Sequence, residues 1–287
     1  MSALEIIEPG PQALVQDAGR PGWAAIGVGR CGAADRSAYE LGARLVAHEA
    51  GTASLEVTLG GLVGRVHGSM TVALTGADTG ATVDGAPVPH ACLLDLRDGQ
   101  ELRLGMPSAG LRTYLTARGG WDVSPVLGSR STDTLSGLGP APVKTGDLLR
   151  LGHYRGSYPN VDVAPVPLPR DDLMELSILP GPRQDWFDST QALTDQVWAV
   201  SDRSNRIGIR LEGEALSRSP DRKKAELASE GMVRGALQVP PDGQPVLFGN
   251  DHPVTGGYPV IAVVPSADMD RAAQLRPGQQ VRLRWAR

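Results

Sequence analysis

Three turn-rich stretches in the C-terminal half carry the residue types that small-molecule chemistry needs: SDRSNRIGIRLEG at 201–213, GALQVPPDGQP at 235–245 and TGGYP at 255–259. Arg203, Arg206 and Arg210 lie close together, and in an extended strand Arg206 and Arg210 project to one face. A guanidinium placed there grips a carboxylate through two parallel hydrogen bonds. Gln238 and Gln244 flank a Pro-Pro-Asp-Gly turn, where an amide side chain both donates to and accepts from a lactam or amide group. Gly256-Gly257 lets backbone N–H groups come close to a ligand, and Tyr258 adds an aromatic wall with a hydroxyl. Judged singly, each stretch reads first as a hairpin turn or a solvated strand face. Their joint presence is more informative, and predicts one concave pocket in the second half of the chain.

More familiar signatures fail on context. Gly27, Gly29 and Gly32 spell GxGxxG ahead of a helix, but PGWAAI is a poor buried parallel strand and no alternation of strands and helices follows. The segment GLGPAPVKT at 137–145 imitates a phosphate loop, yet Val143 stands where glycine must precede the lysine, and no helix is predicted after Thr145. It reads as a surface loop, so no nucleotide site of the chain's own is evident. The five histidines are isolated from one another, none paired at a spacing that would put two imidazoles on one metal ion. GSRSTD at 128–133 lacks the closing glycine of a nucleophile elbow, which disfavours a serine-triad hydrolase. Cys31 and Cys92 have no CxxC partner, and, with His90 the one histidine near either of them in sequence, they read as buried or half-buried free thiols.

The elements that must position these residues are mostly strands. Short opening strands are predicted at 4–7 and 12–16, followed by a glycine-rich stretch from Gly19 to Gly32. A helix comes next, capped by Asp35, with Ala38, Leu41, Leu45 and Val46 on one face and Gly51 as its stop. Leu55, Val57 and Leu59, then Met70, Val72 and Leu74, alternate with polar residues as half-buried strands do. Asp84-Gly85 and Asp98-Gly99 each predict a hairpin turn, making 80–118 a set of hairpins in an antiparallel sheet. Four prolines between Tyr158 and Asp172 deny a sheet its donors, which places a domain boundary there. The expected division is an N-terminal β subdomain at 1–160, a Pro-rich linker at 161–172 and a C-terminal barrel subdomain at 173–287. In the last, Ser266 is expected to cap a short helix ended by Pro277-Gly278, and VRLRW to form the final strand.

Composition agrees with this. With 36 glycines, 23 prolines and two phenylalanines in 287 residues, the chain is expected to be mainly β, rich in tight turns, with a few short helices. Its length allows one large or two medium domains that fold without disulfides or metal. The formal net charge of -4, with arginines spread along the chain, leaves little to neutralise phosphates, so nucleic acid is not an expected partner. Acidic residues stand where a signal peptide would be basic, and no apolar run approaches the roughly 20 residues of a membrane span. A cytoplasmic location without membrane attachment is expected.

The runs LVQDAGRPGWAAIGVGRCGAADR (14–36), LEVTLGG, ALTGAD, GSRSTD, LPGPRQDWF, SDRSNRIGIRLEG, GALQVPPDGQPVLFGNDHPVTGGYPVIAVV and SADMDRAAQLRPG resemble the KipA and allophanate hydrolase subunit 2 family, in order and over nine tenths of the chain. That family includes the C subunit of 5-oxoprolinase and part of the carboxyltransferase region of urea carboxylase. The resemblance implies a cyclophilin-like β-barrel architecture. It implies a heterodimer with a subunit of the KipI or allophanate hydrolase subunit 1 type, able to pair again, and a third subunit of the LamB/YcsF type. The implied reaction opens 5-oxoproline to glutamate with ATP as co-substrate, bound with or by the partner; no metal site and no biotin attachment sequence are expected in this chain. Carried over by motif, Arg206, Gln238 and Gln244 are the implied catalytic residues. Gly257, Tyr258, Arg130, Asp133, Gln16, Asp17 and Arg20 are the implied substrate-binding residues. Two departures leave the pocket lining open: Cys31 stands where serine is common, and Ala34 where methionine is common. Alternative roles within the family are allophanate hydrolase subunit 2, a urea carboxylase-type carboxyltransferase subunit, and a KipA-like regulator that binds a kinase inhibitor.

Overall fold

The computed structural model describes residues 2–48, 51–154, 156–157, 161–223 and 225–286. The chain is mainly β, as composition predicts, with two α-helices and a closed seven-stranded barrel among the described residues. It divides into two compact units. One comprises Met1–Arg20, Cys31–Asp133 and Gly137–Arg170, the other Pro21–Arg30, Thr134–Ser136 and Asp171–Arg287. Among the described residues, no helix is long and apolar enough to cross a membrane.

The first unit holds two antiparallel sheets. A six-stranded sheet runs in the order Leu148–Arg150, Ala3–Pro9, Leu62–His67, Glu101–Arg103, Thr82–Val83, Ala86–Pro87; a five-stranded sheet runs Gln12–Gln16, Ser54–Thr58, Arg112–Ala117, Met70–Gly76, Leu93–Leu96. Leu4, Ile6 and Val66 from the first join Val15, Leu55, Val57, Val72 and Leu115 from the second in one buried cluster, so the alternation read in the sequence does turn one face of each sheet inward. The Asp84-Gly85 hairpin forms as expected, with both residues at positive φ (50° and 81°) between Thr82–Val83 and Ala86–Pro87. Asp98-Gly99 does not close a hairpin. Leu93–Leu96 pairs in the five-stranded sheet and Glu101–Arg103 in the six-stranded one, so this turn carries the chain from one sheet to the other. The Asp98 carboxylate, which accepts the Gly68 N–H at 2.6 Å, ties the crossing down. The Pro-rich stretch expected as a linker lies along this unit: Asp162 O accepts Leu93 N–H and Ala164 N–H donates to Ala91 O. Residues 158–160, just before the expected linker, fall outside the described residues.

The predicted helix is Arg36–Leu45, and the Asp35 side chain caps it by accepting Ala38 N–H at 3.0 Å. It ends before Gly51, because Ala47 already takes φ 60° and breaks the helical path. Its packing explains why the Ser54–Thr58 strand is buried on both faces rather than half-buried. Gly42 sits so close to the sheet that a Cβ there would stand 2.6 Å from Thr116 Oγ1, and Thr75 Oγ1 donates to Ala38 O at 2.7 Å. Beneath the helix N-terminus Glu56 is fully buried, accepting from Tyr114 Oη (2.8 Å) and Ala34 N–H (2.9 Å), with Arg112 Nε 3.4 Å away. Burial first, and then the Glu56 carboxylate, push the Tyr114 phenol well above its ordinary range, so it stays a donor.

In the second unit the barrel runs Met174–Pro180, Val260–Val263, Ala236–Gln238, Val246–Phe248, Gly208–Glu212, Val197–Val200, Gln280–Trp285, and closes because the last strand lies parallel to the first. Leu176, Ile178, Trp198, Leu211, Leu237, Leu247, Ile261 and Leu283 fill it. The buried Trp198 indole gives its one donor to Leu193 O at 3.0 Å. The short helix is Ser266–Ala272, but Ser266 does not cap it. Pro265 occupies the cap position without a side-chain bond, and the chain leaves the helix before Pro277-Gly278.

Replacing Gly42 with alanine is expected to destabilise the first unit by about 1–3 kcal/mol, the ordinary cost of overpacking. Combining it with Thr116→Ala should recover part of that loss. Urea denaturation of the three variants checks this, and strict additivity would remove the assigned clash.

Candidate functional site

The predicted site residues fall into three groups. Gln16, Asp17, Arg20, Arg130 and Asp133 come together in the first unit, where they bind the two motifs QDAGR and GSRSTD to each other. The Asp17 carboxylate accepts from Gly19 N–H (2.8 Å), Ser129 Oγ (2.6 Å), Ser131 Oγ (2.7 Å) and Arg130 N–H (2.6 Å). Gln16 donates to Thr132 O at 2.9 Å, and the buried thiol of Cys31 donates to the same carbonyl at 3.0 Å. Arg20 is buried; it donates to Ser131 O and to Val126 O (3.4 Å) and faces Asp133 Oδ2 at 4.0 Å. Gln16, Asp17 and Arg20 therefore direct hydrogen bonds to shaping the 126–133 loop. Arg130 differs. Its N–H is held by Asp17 and its Nε by Val123 O (2.8 Å), but its two terminal nitrogens have no partner among the described residues, and it lines a cavity of about 580 Å³.

Arg206 forms the second group. Asn205 Oδ1 accepts from Ile207 N–H (2.9 Å) and Gly208 N–H (3.1 Å), a local turn that keeps Arg206 outside the strand. The strand begins at Gly208, so Arg206 and Arg210 do not share a face: Arg206 is buried and Arg210 exposed. One edge of the Arg206 guanidinium is bidentate to Asp251, Nε to Oδ2 at 2.9 Å and Nη2 to Oδ1 at 3.0 Å. Asp251 also accepts from Thr134 N–H (3.0 Å) and Thr134 Oγ1 (2.7 Å). Burial pushes the Asp251 carboxyl up, but the Arg206 charge and the hydrogen bonds outweigh it and hold the group below the ordinary carboxylate range.

The third group gathers at the other end of the barrel. Arg206 lies just before Gly208, which pairs with Phe248, whereas Gln238 pairs with Val246 and Gln244 reaches Gly213, past the end of the same strand. The expected convergence of the arginine with the glutamines and the Gly-Gly-Tyr turn is therefore not what the structure shows. Within this group the residues differ in what they have left to offer. Gln244 is a backbone latch, accepting Gly213 N–H (3.0 Å) and donating to Gly213 O (3.1 Å). Gln238, nearly buried, donates to Tyr258 O at 3.1 Å and leaves its Oε1 without a partner among the described residues. Gly257 N–H and the half-exposed Tyr258 hydroxyl are likewise unengaged there. Arg183 and Glu230 stand beside them as a bidentate pair, Glu230 being the strand partner of Gly256. Sequence reasoning passed over both, although Arg183 sits in LPGPRQDWF; only the pairing of two distant segments brings it here.

Residues 26–285 match the family model described as carboxyltransferase domain, subdomain A and B. The chain is 39% identical over 283 residues to the C subunit of 5-oxoprolinase from Escherichia coli (strain K12), a match covering 97% of this chain and 89% of that protein. It is 31% identical over 306 residues to urea amidolyase of Saccharomyces cerevisiae, covering 98% of this chain and 16% of that protein. Among solved structures, TTHA0988 in space group P212121 superposes with a TM-score of 0.88 at 32% identity, over 99% of this chain and 55% of that one.

Removing one partner of the buried Arg206–Asp251 pair should be costly. Arg206→Met is expected to lose about 3–5 kcal/mol, since it strands a buried carboxylate, and Arg206→Met with Asp251→Leu should recover much of it. Because the folded Asp251 titrates below its unfolded value of about 3.9, its contribution is present above that pH and disappears as pH falls through the lower folded value. Chemical denaturation between pH 7 and pH 2.5 should show a flatter acid limb in Asp251→Asn than in the parent.

Proposed function

The chain belongs to the carboxyltransferase-domain family, subdomains A and B, and from that membership we propose that it serves as the C subunit of an ATP-dependent 5-oxoprolinase. The observation that carries this reading is correspondence of length as well as sequence: the chain spans 89% of the E. coli 5-oxoprolinase C subunit but 16% of yeast urea amidolyase. Similarity to a protein named as a subunit supports action together with other subunits. Those assigned to it are one of the KipI or allophanate hydrolase subunit 1 type and a third of the LamB/YcsF type, in the cytoplasm. A carboxyltransferase role of the urea amidolyase kind is the second reading, supported by the match over 98% of this chain.

In the proposed reaction ATP phosphorylates the lactam oxygen and leaves as ADP. Water adds to the activated carbon, the C–N bond breaks to free the amine, and a second water releases phosphate from the acyl phosphate to leave glutamate. ATP is assigned to the partner. In this chain the stretch resembling a phosphate loop turns Lys144 N–H onto the Asp147 carboxylate at 2.9 Å and continues into the strand Leu148–Arg150. In this scheme Gln238 Oε1 accepts the lactam N–H at the barrel end, and Gly257 N–H and the Tyr258 hydroxyl donate to the lactam oxygen as negative charge grows on it. Arg206 acts at a distance in this scheme: its fork holds Asp251, which holds Thr134. Gln244 serves as the latch described above.

Co-expressed with its partner subunits, the chain should support glutamate release from 5-oxoproline only when ATP is present. Gln238→Leu should lower kcat/KM roughly tenfold or more, about the loss of one hydrogen bond to the reacting group. A complex that turns over urea-derived substrates but not 5-oxoproline would decide for the second reading.

A further inference from the structure

The cavity beside Arg130 plays no part in the barrel-end chemistry, yet it has the features of a binding site. Ala47, His48, Thr52, Trp121, Asp122 and Tyr154 help to line it, and its volume of about 580 Å³ lies within the range of small-molecule pockets. Its wall depends on two backbone segments crossing at van der Waals distance. A side chain at Gly119 would run into Gly152 O, and one at Gly152 into Gly119 O, so only glycine fits at either position. An isolated ladder bridge, Trp121 with Leu151, and the bond from Asp122 N–H to Arg150 O (2.9 Å) hold the next residues in place.

The polar groups on this wall are placed and still open. Arg130 is anchored at its N–H and Nε, which leaves the paired terminal nitrogens of the guanidinium for a ligand. His48 Nε2 accepts Gly119 N–H at 2.7 Å, so in the neutral ring the proton sits on Nδ1, a donor with no partner among the described residues. Burial, and then the nearby Arg118 charge, lower the pKa of this imidazole and keep the ring neutral near pH 7. Asp122 is exposed at the cavity, its carboxylate without a side-chain partner among the described residues. Tyr154 is fixed by donating to Ala47 O at 2.5 Å and by the Arg118 guanidinium 4.5 Å over its ring.

One open guanidinium, one carboxylate and one neutral donor match a ligand of particular chemistry. A carboxylate pairs with Arg130, an adjacent N–H with Asp122, and a carbonyl oxygen with His48 Nδ1. A polyphosphate would bring several negative charges to a wall that offers one guanidinium and also a carboxylate, which disfavours a nucleotide. We propose that this cavity is a binding site for a small carboxylic acid bearing a neighbouring N–H, either a lactam acid or an amino acid, with Arg130 taking the carboxylate and Asp122 the nitrogen. The choice of probes rests on the function proposed above; the site itself does not require it.

The test is calorimetric titration of the purified full chain, and of its co-purified complex, with 5-oxoproline, L-glutamate, glutarate and ATP. At least one of 5-oxoproline and glutamate should bind saturably, and the arm that binds identifies the source of the ligand. Glutarate, which keeps the carboxylates but lacks the N–H, should bind roughly tenfold more weakly. Arg130→Met should weaken binding at least tenfold, Arg130→Lys less so, and Asp122→Asn, a surface change that spares the fold, should narrow the preference over glutarate. Saturable binding absent from the parent chain, Arg130→Met or Asp122→Asn binding just as the parent does, or competition by ATP would each overturn the proposal. A complex that releases no glutamate while the chain still binds these acids through Arg130 would overturn the proposed reaction and leave the site standing.

Discussion

A buried arginine already paired with a buried carboxylate has its charge balanced within the protein and brings no free cation to a ligand. Asp251 takes the Nε–Nη2 edge of Arg206 inside the second unit, where the two side chains are almost fully buried. Displacing Asp251 would leave a desolvated carboxylate with only the Thr134 donors, a cost of several kcal/mol that a small substrate's carboxylate would have to offset. Other buried arginines also face groups within the chain: Arg20 donates to carbonyls of the 126–133 loop, and Arg112 lies against the buried Glu56. Chemistry toward a ligand has to come from groups with capacity left over. In the barrel these are Gln238, Gly257 and Tyr258; in the first unit, Arg130, Asp122 and His48.

Much of the fold was legible because it follows from period and turn chemistry. The opening strands, the Asp35 cap and the Asp84-Gly85 hairpin are set within a few residues of sequence, and all three form. What depended on distant contacts was harder to read. The Asp98-Gly99 turn has hairpin composition, but the strands beside it find partners in different sheets, which no local pattern encodes. Glu56 sits at the polar position of an alternating strand, yet it is buried because a helix joined by Gly42 lies across that face. The residue types of the site were visible, but their grouping was not. Arg206 and Arg210 share a face only if the chain between them is straight, and the Asn205 turn bends it. Arg183 and Glu230 are 47 residues apart and meet only through strand pairing.

Buried polar groups serve the two units in different ways. In the first, the Glu56, Tyr114 and Arg112 cluster lies under the helix, and Asp17 gathers four donors from two motifs. Both arrangements bury charge with its partners supplied, which favours one packing over its competitors because any shift leaves a donor or a carboxylate unmatched. The motif residues that read as a site are therefore largely the means by which a loop is held still. Loop rigidity has its own functional use: Arg130 is carried on that loop, and two of its attachment points are fixed by Asp17 and Val123. A guanidinium held this way loses little freedom when it binds, so more of each hydrogen bond is available as affinity.

The family match spans chains named for different reactions, so the shared scaffold does not select the substrate. Selection has to rest on groups that the scaffold positions without satisfying. A lactam or urea-like amide presents an N–H and a carbonyl at fixed separation, and discrimination against a ligand lacking either is large only when a buried partner would be left unpaired. Gln238 meets that condition, since it is nearly buried and keeps an open acceptor. Tyr258 does not, because its exposed hydroxyl can return to water at little cost. Specificity at the barrel end should therefore reside in Gln238 and the backbone beside it, with Tyr258 supplying surface rather than selection.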